Sequence, residues 1–242
     1  MEQYIAFDIE TATIDFDQFS ESQQEYLLRG AVTDEEKEQK KYLMGLSPFT
    51  AQVCCIGMQL MERDGDDYIT KSEAAFSTLP DYDGEEGKEI TLESGKSCYL
   101  YSERGLLENF WKILIKYNNA TLISFNGRSF DVPFLMLRSS ILKIRPSKNL
   151  MSGTRWNYKG HVDLIDELSF YNPSPYSASK RFNFDFYTRA YGITSPKSEG
   201  VDGSMVSELY KKGDIATISD YCLRDINATW ELFLIWQKYL KF

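Results

Sequence analysis

The sequence predicts an α/β fold, and three observations carry that prediction. Short apolar runs such as "YIAFDIE" (4–10) and "ATLISF" (120–125) read as strands. Elsewhere apolar residues recur at helical spacing, as at Leu106, Leu107, Phe110, Trp111 and Leu114. Strand-like and helix-like segments follow one another along the chain, with no internal repeat and no Pro/Gly/Ser linker to divide it. The expectation is one domain over residues 1–242.

The elements follow in order. The first strand covers 4–9 and carries Asp8 and Glu10 at its end. Residues 15–44 are polar and charged and read as a helical insertion. "TAQVCCIGMQLME" (50–62) is an apolar strand, and "DGDD" (64–67) turns it back into "YITKSEAAF" (68–76). Residues 77–97 are acidic and contain glycine, which predicts an exposed loop. "SCYLYS" (97–102) is a further strand, and its Ser102 is the candidate N-cap of a helix over 103–117. After the strand at 120–125, helical patterns cover 131–144, 181–191 and 214–240.

Composition excludes several classes. With 43% apolar residues and 14% aromatics, 242 residues suffice for a sizeable core. No apolar run approaches the ~20 residues that span a bilayer. The N-terminus has acidic residues and no basic flank, unlike a signal peptide. Cys54, Cys55, Cys98 and Cys222 form no CxxC pair and read as reduced packing residues, so the expected location is cytoplasmic. Strand alternation would send Cys54 and Cys55 to opposite faces. The net charge is −9, but Arg128 to Lys197 holds 11 basic and 5 acidic residues, a local +6. That stretch is either a chance run on a solvated face or the lining of a phosphate groove, in which case Arg128 and Lys197 would be among its contacts.

The carboxylates pose the chemical question. Asp8 and Glu10, at i and i+2 on a strand, point the same way, and each makes the other costlier to ionise. Asp131 follows "NGRSF" at a strand–helix junction, where it either caps the helix or serves a site. Tyr221 and Asp225 share one face of the last helix, beside the apolar stripe Ile218, Cys222, Ile226, Trp230 and Phe233.

Together these motifs resemble the DEDD (DnaQ-like) superfamily of 3′–5′ exonucleases. "DIET" is similar to its first motif, "NGRSFD" to its second and "YCLRD" to its third, in the tyrosine form. The likeness is to the proofreading exonuclease domain of family B DNA polymerases and to predicted stand-alone bacterial relatives. It runs from residue 4 to about 235 and leaves 15–44 and 77–97 unmatched.

The resemblance implies a ribonuclease H-like fold: a mixed sheet of about five strands, helices on both faces, and a metal site beside the first strand. It implies 3′–5′ hydrolysis of single-stranded DNA to nucleoside 5′-monophosphates, assisted by two divalent cations, Mg²⁺ or Mn²⁺. An exoribonuclease, or a silent nucleic-acid-binding module, would be the alternatives. By motif position, Asp8 would bridge both ions, Glu10 and Asp225 would complete one site, and Asp131 would hold the second ion. Tyr221 would orient the attacking water. The partner is then a nucleic-acid 3′ end, with replication or repair trimming in trans as a possible setting.

The resemblance further implies that Thr11, Asn126 and Phe130 contact the strand end. Packing for Phe130 and a turn for Asn126 are the structural alternatives. His161 lies outside the third motif and reads as a structural histidine, and Asp163 as a cap or an extra carboxylate.

Overall fold

The computed structural model describes residues 2–84, 86–196, 200 and 202–241. Its centre is a seven-stranded mixed sheet with the order β4-β5-β3-β2-β1-β6-β7. The strands are β1 (Gln3–Thr13), β2 (Ala51–Asp64), β3 (Asp67–Ser77), β4 (Lys88–Thr91), β5 (Ser97–Leu100), β6 (Thr121–Ser124) and β7 (His161–Asp163). β1, β2 and β3 form an antiparallel meander, and β6 and β7 add on parallel to β1.

Five strands were expected and seven are present among the described residues. β4 lies inside the stretch expected to be an exposed loop. It pairs antiparallel with β5, and Leu92 just after it is buried. Its sequence, "KEIT", is mostly polar because only the ladder and one face are covered, so apolar pattern could not reveal it. β7 is three residues long, below the length at which alternation is legible.

Alternation along β1 divides its side chains between two helical layers. Ile5, Phe7 and Ile9 pack with Leu106, Leu107, Phe110, Trp111 and Leu114 of α3 (Glu103–Lys116) and with Val132, Phe134 and Leu135 of α4 (Asp131–Ile141). Each such large side chain, fully buried, contributes about 1.5–3 kcal/mol. Ser102 caps α3 as expected, accepting from the Gly105 N–H at 3.1 Å. A part-buried ion pair ties this layer together. Arg138 of α4 grips Glu103 of α3 through two bonds (2.7 and 2.8 Å), and Glu103 also accepts from the Val53 N–H of β2.

The even residues of β1 face the opposite layer. Tyr4 and Ala6 meet Trp230, Phe233 and Trp236 of α8 (Ile215–Tyr239), a 25-residue helix that crosses the sheet. α7 (Val206–Lys211) supports its N-terminal half, and α5 (Leu164–Leu168) packs against it. No helix among the described residues is long and apolar enough to cross a membrane.

Residues 15–44 contain α1 (Glu21–Leu27) and α2 (Asp34–Leu43), neither of which buries a residue. Both begin with capping boxes, at Ser20/Gln23 and Thr33/Glu36, so local capping stands in for core burial.

The pleat expectation for Cys54 and Cys55 fails. Glu10 pairs with Cys55 but Thr11 pairs with Val53, so Cys54 is an extra residue in a bulge. A bulge breaks the alternation, and both cysteines enter one buried cluster with Cys98 and Cys222. All four are free thiols.

Candidate active site

Asp8 and Glu10 continue the even face of β1, so they look toward α8. Gly57 lies opposite Asp8 on β2. It has no side chain to hold the helix off. A Cβ there would stand 2.9 Å from Cys222 Sγ, so the glycine permits the close approach of α8 to the sheet. Cys222 Sγ in turn reaches the backbone oxygen of Asp8 at 3.6 Å. Asp8, Glu10 and Cys222 offer ligand atoms all within 4.8 Å of one another.

Tyr221 and Asp225 flank Cys222 on the same helix, and their side chains line one pocket with Asp8, Phe125, Phe184, Asp185 and Ser195. Tyr221 is buried, and it lines the pocket beside Asp225. Burial raises its pKa, with Asp225, Glu10 and Asp8 adding, so the phenol stays protonated.

Asp131 arrives from the other side of β1. The pairing of β1 with β6 ends at Ala6, which leaves the later edge of β1 open. Into that opening Asp131 directs Oδ1, accepting from the Ile9 N–H at 3.1 Å. It makes no cap bond: the N-cap position of α4 is Phe130, without a side-chain bond. The capping alternative for Asp131 is thereby removed.

The cluster is electrostatically loaded. Burial holds Asp8 well above the usual carboxylate range, and Asp131, Asp225 and Glu10 push it further. Glu10 is raised by burial and then by Asp225. Asp131 is pushed up to about 7, by burial first, although the Ile9 N–H opposes the shift. Carboxylates so crowded bind protons or cations.

The loop before Asp131 has its own fastening. Asp163, at the end of β7, accepts from the N–H groups of Asn126 (2.7 Å), Arg128 (2.8 Å) and Ile165 (3.3 Å). It thus caps α5 and clamps the loop. Asn126 takes a left-handed φ of 65°, and its backbone oxygen accepts from Ser129 and Phe130. Gly127 is obligatory, since a Cβ would lie 2.2 Å from Ser124 Oγ. That hydroxyl is bonded to His161 Nε2 at 2.7 Å. His161 is buried, and burial pulls its pKa down to about 3, so it stays neutral and structural.

Thr11 and Phe130, two of the expected strand-end contacts, also have partners inside the chain. The Thr11 hydroxyl donates to Gly45 O at 2.7 Å, tying β1 to the end of the insertion. Phe130 is half-buried against Phe134, with ring centroids 5.7 Å apart. Arg128 does not line a groove. It is buried, its guanidinium lies 3.7 Å over the Tyr158 ring, and it donates to Leu150 O. Arginine buries well in such a stack, which is why charge counting misplaced it. Lys197 lies outside the described residues.

Gly57, Cys222, Phe184 and Asp185 were not foreseen at the site. A glycine inside an apolar strand was the available signal for Gly57. None existed for the others, which reach the site only through packing.

Comparison with known proteins agrees with this geometry. A search of curated proteins returns no match. The chain is similar in structure to the family B DNA polymerase from the hyperthermophilic archaeon Pyrobaculum calidifontis, with a TM-score of 0.55 and 17% identity. All of this chain is covered, and 25% of the polymerase. At that identity the likeness is one of fold, here ribonuclease H-like. The family model of predicted 3′–5′ exonucleases related to the exonuclease domain of PolB matches residues 82–241. That stretch omits β1, so Asp8 and Glu10 join Asp131, Tyr221 and Asp225 by geometry alone. With about two thirds of its length matched, the chain belongs to the family of predicted 3′–5′ exonucleases related to the PolB exonuclease domain.

Proposed function

We propose that the protein removes nucleotides from the 3′ end of single-stranded DNA and releases nucleoside 5′-monophosphates, using two divalent cations. The carrying observation is the gathering of Asp8 and Glu10 of β1 with Asp225 of α8 in one region, and of Asp131 at the open edge of β1. The donor set fits Mg²⁺ or Mn²⁺, since its carboxylates are hard oxygen ligands and the one histidine is buried and bonded elsewhere. Bound there, such a pair would acidify a water and neutralise charge on the departing 3′ oxygen.

The residues divide the remaining work. Asp8 would serve both cations, Glu10 and Asp225 would complete one site, and Asp131 would hold the other ion. Tyr221 keeps its proton and orients the attacking water through its hydroxyl. Asn126, Phe130 and Thr11, adjacent in sequence to these groups, are the proposed contacts of the strand end. We read residues 1–242 as one unit, because α8 touches β1, β2 and β3 across the sheet. It would act alone or trim 3′ ends for a replication or repair partner.

The test uses 5′-labelled DNA and RNA strands with and without Mg²⁺ or Mn²⁺. The expected result is stepwise shortening of DNA from its 3′ end, abolished by chelator and by Asp8→Ala. No cleavage under any metal would overturn the proposal, and faster cleavage of RNA would reassign the substrate.

A further inference from the structure

The pocket that holds Asp8, Tyr221 and Asp225 is also lined by Phe184 and Asp185. These residues begin α6 (Phe184–Ala190), whose N-cap is Asn183. Phe184 turns inward and packs on Phe125, with centroids 4.7 Å apart. Its neighbours two residues away on either side turn outward. Phe182 and Phe186 are 41% and 58% exposed, and their rings lie against each other at 4.9 Å and 33°. Neither ring belongs to a core cluster. Lys180 sits over Phe182, its Nζ 4.9 Å from the ring centre.

We propose that Phe182 and Phe186 form a stacking platform for unpaired bases of the substrate strand, with Lys180 meeting an adjoining phosphate. The proposal rests on the exonuclease reading above and extends it to the strand that trails from the catalytic pocket. A single exposed apolar residue is ordinary on a protein surface. Two phenylalanines side by side, flanking the segment that lines the acidic pocket, leave a large apolar area without cover. A nucleobase suits that area, because every base offers a π-face whatever its identity. Continuity with the pocket brings the strand to these rings, as Phe184 and Asp185 sit between them in sequence. Charge agrees, since Lys180 stands beside these rings. A lysine already resting over one ring can move to a phosphate and leave the ring face to a base.

The test compares wild type, Phe182→Ala/Phe186→Ala and Phe182→Trp/Phe186→Trp in the full chain. Strands carrying 2-aminopurine at successive positions from the 3′ end are titrated in chelator, where no cleavage occurs. The platform predicts quenching at two or three neighbouring positions, lost in the alanine variant and restored by tryptophan. Affinity for a strand of about twelve nucleotides should fall about 10- to 100-fold in the alanine variant, the loss expected for one or two stacked bases. With metal, KM for that strand should rise while kcat, and the cleavage of a dinucleotide, stay unchanged. Unaltered strand affinity and quenching in the alanine variant would overturn the platform. So would an equal loss on the dinucleotide, which would mean a damaged catalytic pocket. Unchanged strand binding together with a lost oligomer would assign the face to a protein and also overturn it. A wild type that binds and quenches but cuts no strand would reject the exonuclease reading and leave the platform standing.

Discussion

Tyr221 and Asp225 are one helical turn apart on α8, line one pocket, and are chemically unlike. A protonated phenol can position water but does not hold Mg²⁺ as a carboxylate does. Tyr221→Phe removes one oxygen from a buried ring and leaves the packing as it was. Single-turnover cleavage should slow by about 10- to 10³-fold, the range for losing one positioned proton-handling group, with divalent affinity unchanged. Asp225→Asn should weaken both. Calorimetric titration with Mn²⁺ beside rapid-quench cleavage measures the split, and a Tyr221→Phe enzyme as fast as wild type would remove the water-orienting role.

At the scale of elements, the site depends on how closely α8 approaches β1 and β2. Gly57 sets that distance, since its hydrogen is what faces Cys222 Sγ. Gly57→Ala should cost about 1–3 kcal/mol by overpacking. It should also move the helix that carries Tyr221 and Asp225, so divalent affinity and cleavage fall together. Cys222→Ala in the same chain removes the colliding sulfur and should recover most of both. Thermal unfolding and metal titration of the single and double variants check this. Additive losses in the double variant would show that the contact does not set the distance. The bulge at Cys54 acts in the same region, by restarting the pleat of β2 immediately opposite Glu10.

The whole molecule carries the cost of the cluster as a pH dependence. In the folded chain Asp131 titrates at about 7 and Asp163 at about 6, both raised by burial, and Asp8 and Glu10 are raised as well. A raised carboxylate binds its proton more tightly folded than unfolded. Its contribution to stability is therefore complete below the unfolded pKa near 4 and is lost as pH rises through the folded value. Metal-free protein should lose thermal stability between about pH 4 and 7. Divalent cation should restore it at pH 8, by ~2.7 kcal/mol at a hundredfold excess over Kd, with protons released on binding. Melting curves from pH 5 to 8 with chelator or Mn²⁺ measure both effects. A flat metal-free profile would contradict the raised titration of these buried carboxylates.

The order of the longer strands and helices, the cap at Ser102 and the three motifs that contain Asp8, Glu10, Asp131, Tyr221 and Asp225 were legible in the sequence. Each is a local matter of period, capping chemistry or spacing, and local signals survive in one dimension. Two short strands were not legible, because β4 and β7 exist through partners that cover them rather than through their own pattern. The roles of individual residues around the site depended on tertiary structure in the same way. Asp131 and Asp163 look alike as acidic residues beside strand ends. Only the open edge of β1 makes the first a member of the carboxylate cluster, and only the N–H groups of Asn126 and Arg128 make the second a clamp. Arg128 counted as a surface charge until its guanidinium was found buried over Tyr158. Gly57 and Cys222 gained their meaning from a contact 165 residues apart in sequence. Distance along the chain hides such contacts, because the close approach of a helix to a sheet is set by what both surfaces leave out.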